Sequence, residues 1–196
     1  IERLVALGAV DPPRPRAALA QRIGDMHARP IWGNAEAREF GVWLATWAEH
    51  SYVPVEQAAV RQELVSEPTF VRADHLRALH MESHAAEEFS QLEDRIGDNP
   101  TQLSMLVDYY ERRGLHQRGI RLAERILQMS PARSLSDAPL YLRKRICPAH
   151  FDEFVEVECM DRGVDPNTFY SLMRQESLFE IDAVSWVGAR GLSQIM

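Results

Sequence analysis

The sequence predicts an all-α protein. Nearly every segment shows helical rather than alternating periodicity, and breaks at Pro, Gly or Asn-Pro recur at intervals of roughly 15 to 30 residues. Helix starts and stops are also legible, as at Gly97-Asp98-Asn99-Pro100-Thr101 and Asp165-Pro166. The expected helices are 16–28, 34–49, 55–65, 72–96, 101–113, 116–129, 150–162, 166–176 and 188–196. No segment requires a sheet.

The first of these signals ends one helix at Gly97 and caps the next with Asn99, Pro100 and Thr101. Arg113-Gly114 then forms a tight turn between two amphipathic stretches. Leu103, Leu106, Val107 and Tyr110 make the inner face of the first, and Ile120, Leu122, Ala123, Ile126 and Leu127 that of the second. Residues 101–130 therefore resemble one hairpin of an irregular α-solenoid, a superhelical helix array without a strict repeat consensus. The run Ser130-Pro131-Ala132-Arg133-Ser134-Leu135-Ser136-Asp137-Ala138-Pro139 is the best domain boundary, dividing a helix-hairpin region, 1–138, from a second region, 139–196. In the second region, Asp165 is a natural N-cap with Pro166 at the first helical position.

Composition excludes several partners. Hydrophobic residues make up 45% of the 196, so a packed core is expected, and no stretch is polar and charged enough to stay disordered. The net charge of -7, with no lysine or arginine stripe, argues against nucleic acid and anionic lipid. No apolar run of about twenty residues exists to span a bilayer. The opening IERLVALGAVDPP has no signal-peptide pattern and reads as the middle of a helix, so the natural N-terminus is expected to lie upstream. Cys147 and Cys159 are too few for a zinc site or a disulfide scaffold; two separate thiols are expected, with a single bridge open in an oxidising compartment.

The chemistry concentrates in residues 166–196, PNTFYSLMRQESLFEIDAVSWVGARGLSQIM. Phe169, Leu172 and Met173 mark an apolar stripe, and Glu176 follows the last two by four and three positions, which assigns its carboxylate to the packed face. Burial and the negative end of the helix dipole would both disfavour its anion, the property a general acid needs. Gly188, Ala189 and Gly191 would let backbone approach a substrate closely.

Arg174-Gln175-Glu176-Ser177, Phe179, Ala183-Val184-Ser185, Gly188-Ala189-Arg190-Gly191-Leu192 and Gln194-Ile195-Met196 stand in an order and spacing that resemble the soluble lytic transglycosylases. This lysozyme-like family carries a Glu-Ser motif followed by Gly-Ala-x-Gly-Leu-x-Gln. The resemblance reaches weakly back through Gly163-Val164-Asp165-Pro166 to Cys147-Pro148, roughly the last quarter of the chain. It implies that 139–196 is the first part of a lysozyme-like, mainly helical catalytic domain behind an α-superhelical region. It also implies cleavage of the MurNAc-GlcNAc β-1,4 bond of peptidoglycan in the bacterial periplasm or envelope. Glu176 would act as acid on the glycosidic oxygen, then as base on the C6 hydroxyl of N-acetylmuramic acid, closing a 1,6-anhydro ring. The substrate's acetamido group would replace a second carboxylate. Ser185 and Gln194 would hold substrate polar groups, and Met196 would line the groove.

The chain departs from the family pattern at Glu180, Ile181 and Asp182, where Asn, Pro and a polar residue are usual, and at Trp186. Asp182 reads as a solvated loop charge rather than a second carboxylate; Trp186 reads as either a sugar platform or packing. The family continues beyond Gln194-Ile195-Met196 with Pro and the rest of the lobe, so the domain is expected to be truncated and the chain inactive alone.

Other candidates have plainer readings. His80 and His84, four apart around Glu82, have zinc-compatible spacing but no third ligand, and read as helix surface. Trp43 and Trp47 read as an inward stripe and Trp32 as an exposed aromatic. Residues 82–95 read as a solvated face. No cofactor and no metal are assigned. The competing function is a catalytically incomplete helical scaffold that binds glycan or envelope proteins.

Overall fold

The structure, a computed structural model, describes residues 34–48, 64 and 66–196, all within one compact unit, Trp32–Met196. The expected helix 16–28, nearly all of 55–65, and Trp32 lie outside the described residues. Among the described residues eight α-helices succeed one another: α1 Asn34–Ala45, α2 Pro68–Ala78, α3 Glu82–Ile96, α4 Pro100–Arg112, α5 His116–Met129, α6 Leu140–Ile146, α7 Asp152–Arg162 and α8 Pro166–Ser177. A short 3-10 turn, Leu135–Asp137, precedes α6. Among the described residues there is no strand, only isolated bridges pairing Val184 with Arg190 and Arg190 with Ile195. The fold class is all-α. No helix among the described residues is long and apolar enough to cross a membrane.

Neighbouring helices pack in pairs, α2 on α3, α4 on α5 and α7 on α8, while α6 joins α5 to α1. The α4–α5 pair follows its expected chemistry. Asn99 accepts from the Gln102 N–H at 3.1 Å, Pro100 takes the first helical position, and Gly114 turns the chain at φ 71°. Leu103, Leu106, Val107 and Tyr110 are buried, as are Leu122, Ala123 and Ile126. Each large apolar side chain here contributes about 1.5–3 kcal/mol by leaving water. Replacing Asn99 with Ala strands one amide at the start of α4, and a urea titration is expected to show a loss of about 1 kcal/mol.

Three expectations need correction. The span 72–96 is two helices: the chain turns at Leu79–Met81, where exposed His80 takes φ 57°. His80 thus precedes α3 while His84 lies within it, so the two imidazoles do not share a helical face. The span 188–196 is not helical, because Gly188, Gly191 and Gln194 all have positive φ. The segment after Pro139 is a helix, α6, anchored by Tyr141, Leu142 and Ile146.

The interior falls into two hydrophobic clusters. The larger runs from Phe40 and Leu44 through Phe70, Phe89 and α4–α5 to Tyr141, Leu142 and Ile146 on α6; Trp43 and Trp47 pack against it half-buried. The smaller joins Ile120 of α5 to Val155, Cys159, Met173 and Phe179. Ile120 therefore points away from the other apolar residues of its helix. Cys147 is exposed, Cys159 is buried, and both are free thiols.

Arg145 and Tyr110 find polar partners inside the array. Arg145 is 1% exposed, with its guanidinium carbon 3.3 Å from the Tyr141 ring centre. It donates to Asp108 and, at 3.1 Å, to the Tyr141 carbonyl, while the Tyr141 hydroxyl donates to Asp108 at 2.9 Å. Tyr110 and Arg118 both donate to Glu93, at 2.7 and 2.6 Å. Burial foremost, then the Glu93 charge, pushes the Tyr110 phenol far above its ordinary range, so it stays a donor.

Candidate active site

Helix α8 carries Glu176 in its last turn. Asp165 caps it, accepting from the Asn167 N–H at 3.0 Å, and Pro166 supplies the preset φ of the first turn. Met173 and Ser177, four apart, form its buried face, with Phe169 and Tyr170 packed on the same cluster. Leu172 is 41% exposed, so it does not belong to that face. Glu176 lies one position, hence about 100°, around the helix from Ser177. Its side chain is exposed, which corrects the expectation that it packs inward.

Beyond α8 the chain turns sharply. Leu178 and Phe179 take positive φ of 50° and 64°, a costly arrangement for two non-glycine residues. It is held by the complete burial of Phe179 and by its edge-to-face contact with His150, ring centres 5.2 Å apart. Ser177 Oγ lies 3.0 Å from the Met173 carbonyl and 2.9 Å from that of Leu192, fastening the loop to the helix. On its other side the Arg174 guanidinium fastens α8 to α6 and α5, donating to the Ile146 carbonyl at 2.8 Å and pairing with Glu124 of α5.

The loop after α8 is laced by its own side chains. The Ser185 N–H donates to the Ala189 carbonyl at 2.9 Å, and Ser185 Oγ accepts the Ala189 N–H at 2.9 Å. Gln194 Nε2 donates to the carbonyls of Ala183 and Gly191 at 3.1 and 2.8 Å. Gly188 and Gly191, at φ 90° and 76°, turn the backbone where a side chain would be strained.

Helix and loop enclose an open cleft of about 340 Å³ with Gln117 and Arg121 of α5 on its far side. Glu176, Ser185 and Gln194 all line it, together with Gln175, Ser177, Leu178, Ala183 and Val184. Met196 does not: it is 92% exposed and outside the lining. Asp182 is exposed and also outside the lining, as a solvated loop charge would be. Trp186 is 96% exposed, which removes packing as its role. Sequence reading missed Gln117 and Arg121, because nothing in α5 reveals which residues a distant segment will face.

Glu180 is the half-buried carboxylate beside the cleft. Burial is the foremost cause raising its pKa, opposed by the hydrogen bond from the Gln117 N–H at 3.2 Å and assisted by nearby Asp182. The N-cap of α5, Leu115, offers no side-chain acceptor, so Glu180 serves one orphan amide, that of Gln117, and the positive dipole end instead. A carboxyl whose folded pKa is raised binds its proton more tightly when folded, so stability falls as pH rises above the ordinary value of 4.5. Glu180→Gln keeps the acceptor and removes the buried charge. Thermal melts are expected to show the variant gaining over wild type at pH 7 and losing that gain well below pH 4.5.

No curated protein matches the chain. One family match bears directly on the cleft, and at family level it indicates lytic-transglycosylase-type activity on peptidoglycan, with the envelope location that this substrate implies. Residues 154–196, which hold α8, Glu176 and the whole loop through Gln194, match the model of the transglycosylase SLT domain, a lysozyme-like helical domain, consistent with the soluble lytic transglycosylase family.

Proposed function

We propose that the protein cleaves the MurNAc-GlcNAc β-1,4 bond of peptidoglycan without water as nucleophile, with Glu176 as its acid and base. The observation that carries this reading is the convergence of Glu176, Ser185 and Gln194 on one cleft inside the stretch matched by the SLT domain. The protonated carboxyl of Glu176 gives its proton to the glycosidic oxygen as the C1–O bond breaks. The carboxylate so formed then takes the proton of the C6 hydroxyl as that oxygen bonds to C1, which regenerates the acid and leaves a 1,6-anhydro ring. The acetamido oxygen of the same sugar stabilises the developing positive charge, in the role a second carboxylate fills elsewhere.

In this reading Ser185 keeps its hydroxyl proton for substrate, since its oxygen already accepts the Ala189 amide. Gln194 has both amide hydrogens engaged within the loop, so its carbonyl oxygen is the group left to meet a sugar hydroxyl. Exposed Trp186 offers a face on which a sugar ring can stack. Because Glu176 is exposed, bound glycan and not packed side chains would cover it in the cleft. We propose further that 139–196 belong to the catalytic domain and that 1–138 form a superhelical array guiding the strand, in the periplasm.

Incubating purified sacculi with the natural full-length protein and with its Glu176→Gln variant tests this. Both proteins are expected to sediment with sacculi, and wild type alone to release soluble muropeptides. Equal sedimentation with no release by either would replace the enzyme with a glycan-binding scaffold.

A further inference from the structure

Where the α4–α5 turn meets the segment before α7, three metal-compatible side chains converge without any role in the cleft. Glu111, at the end of α4, is 3% exposed. His116 opens α5, and His150 precedes α7. Each offers one ligand atom, and the three atoms lie within 4.8 Å of one another. His150 Nε2 stands 3.5 Å from Glu111 Oε2, and the two imidazole centres are 3.8 Å apart.

Two independent features mark this as a built site. Glu111 Oε1 is buried and accepts no hydrogen bond, although a carboxylate oxygen removed from water carries a cost unless something positive meets it. Gly119, one turn into α5, leaves the room it occupies: a Cβ there would sit 3.1 Å from that oxygen. The spacing of one pair also fits an ion. Two ligands held at about 2.0–2.1 Å in tetrahedral geometry stand roughly 3.4 Å apart, close to the His150–Glu111 separation.

We propose that Glu111, His116 and His150 bind a divalent transition-metal ion of the zinc class, with a fourth position left to water. One carboxylate and two imidazoles suit such an ion rather than calcium or magnesium, which favour all-oxygen shells. The ion would clip the segment before α7 to the α4–α5 hairpin. His150 also touches the Phe179 ring, so the clip would steady the strained turn just after Glu176. The inference does not depend on what Glu176 does.

The test is a cobalt titration of chelator-stripped protein, monitored by visible absorption, with zinc added afterwards in competition. One equivalent of Co²⁺ is expected to give the intense bands of a four-coordinate N/O site, bleached by one equivalent of Zn²⁺. Glu111→Gln and His150→Ala are expected to lose the bands, and a His80→Ala/His84→Ala double variant to keep them. Circular dichroism of Glu111→Gln, which preserves side-chain shape, confirms that loss reflects the ligand and not the fold. Absence of the bands in folded wild type, or bands undiminished in Glu111→Gln and His150→Ala, would overturn the proposal.

Discussion

Glu176→Gln is expected to lower release of soluble muropeptides from sacculi by about 10³- to 10⁴-fold, the upper part of what one general acid–base group supplies, because in the proposed mechanism the same carboxyl serves both halves of the reaction. The substitution keeps the side-chain shape and removes the transferable proton. Glu176 is exposed and has no structural role in α8, whose buried face is Met173 and Ser177. Helix content and melting temperature should therefore be unchanged, and sedimentation with sacculi should persist. A variant that retained more than about a tenth of the wild-type rate would move the acid elsewhere, since a lost acid–base group costs at least about 10²-fold. Glu180 would be the first alternative, being the half-buried carboxylate nearest in sequence, with its pKa raised chiefly by burial.

Arg145→Ala is expected to be strongly destabilising, at about 3 kcal/mol. The guanidinium is 1% exposed and reaches the Asp108 carboxylate, the Tyr141 carbonyl and the Tyr141 ring. Removing it leaves Asp108 with the Tyr141 hydroxyl bond to α6 and opens a void between α4 and α6. For a chain of this size that corresponds to a melting temperature lower by roughly 6–12 °C. The side chain of Asp108 is 28% exposed, so water offsets part of the lost pairing and keeps the figure below that for a fully buried pair. Thermal unfolding of the variant measures it directly. A shift under about 2 °C would mean that the pair is solvated and that α6 is held by Tyr141, Leu142 and Ile146 alone.

The helical class and the α4–α5 hairpin were legible because local signals there agree with tertiary packing. Asn99, Pro100, Gly114 and the apolar faces of both helices all point the same way. The break at His80 was not legible, since the sequence from 72 to 96 contains neither Gly nor Pro to mark it. Residues 188–196 misled in the opposite direction: their apolar spacing suits a helix, yet Gly188, Gly191 and Gln194 bend the chain into a loop tied by the Ser185 and Gln194 side chains.

The cleft divides along the same line. The motif around Glu176, Ser185 and Gln194 is continuous in sequence, so it could be read directly, and the three residues do meet. The burial assigned to Glu176 failed because Leu172 was counted in the apolar face, whereas the buried row passes through Met173 and Ser177. Gln117, Arg121 and the Glu111–His116–His150 group come from segments brought together only by folding. No spacing rule within one helix reveals them.

The central claim is that cleavage closes a ring on the substrate instead of consuming water. Mass spectrometry of the fragments released from sacculi by the natural full-length protein, run in ¹⁸O-labelled water, tests it most directly. Muramic acid ends in the 1,6-anhydro form, one water lighter than reducing ends and free of ¹⁸O, are the predicted result. Reducing ends carrying ¹⁸O would contradict it and make the protein a lysozyme-type hydrolase.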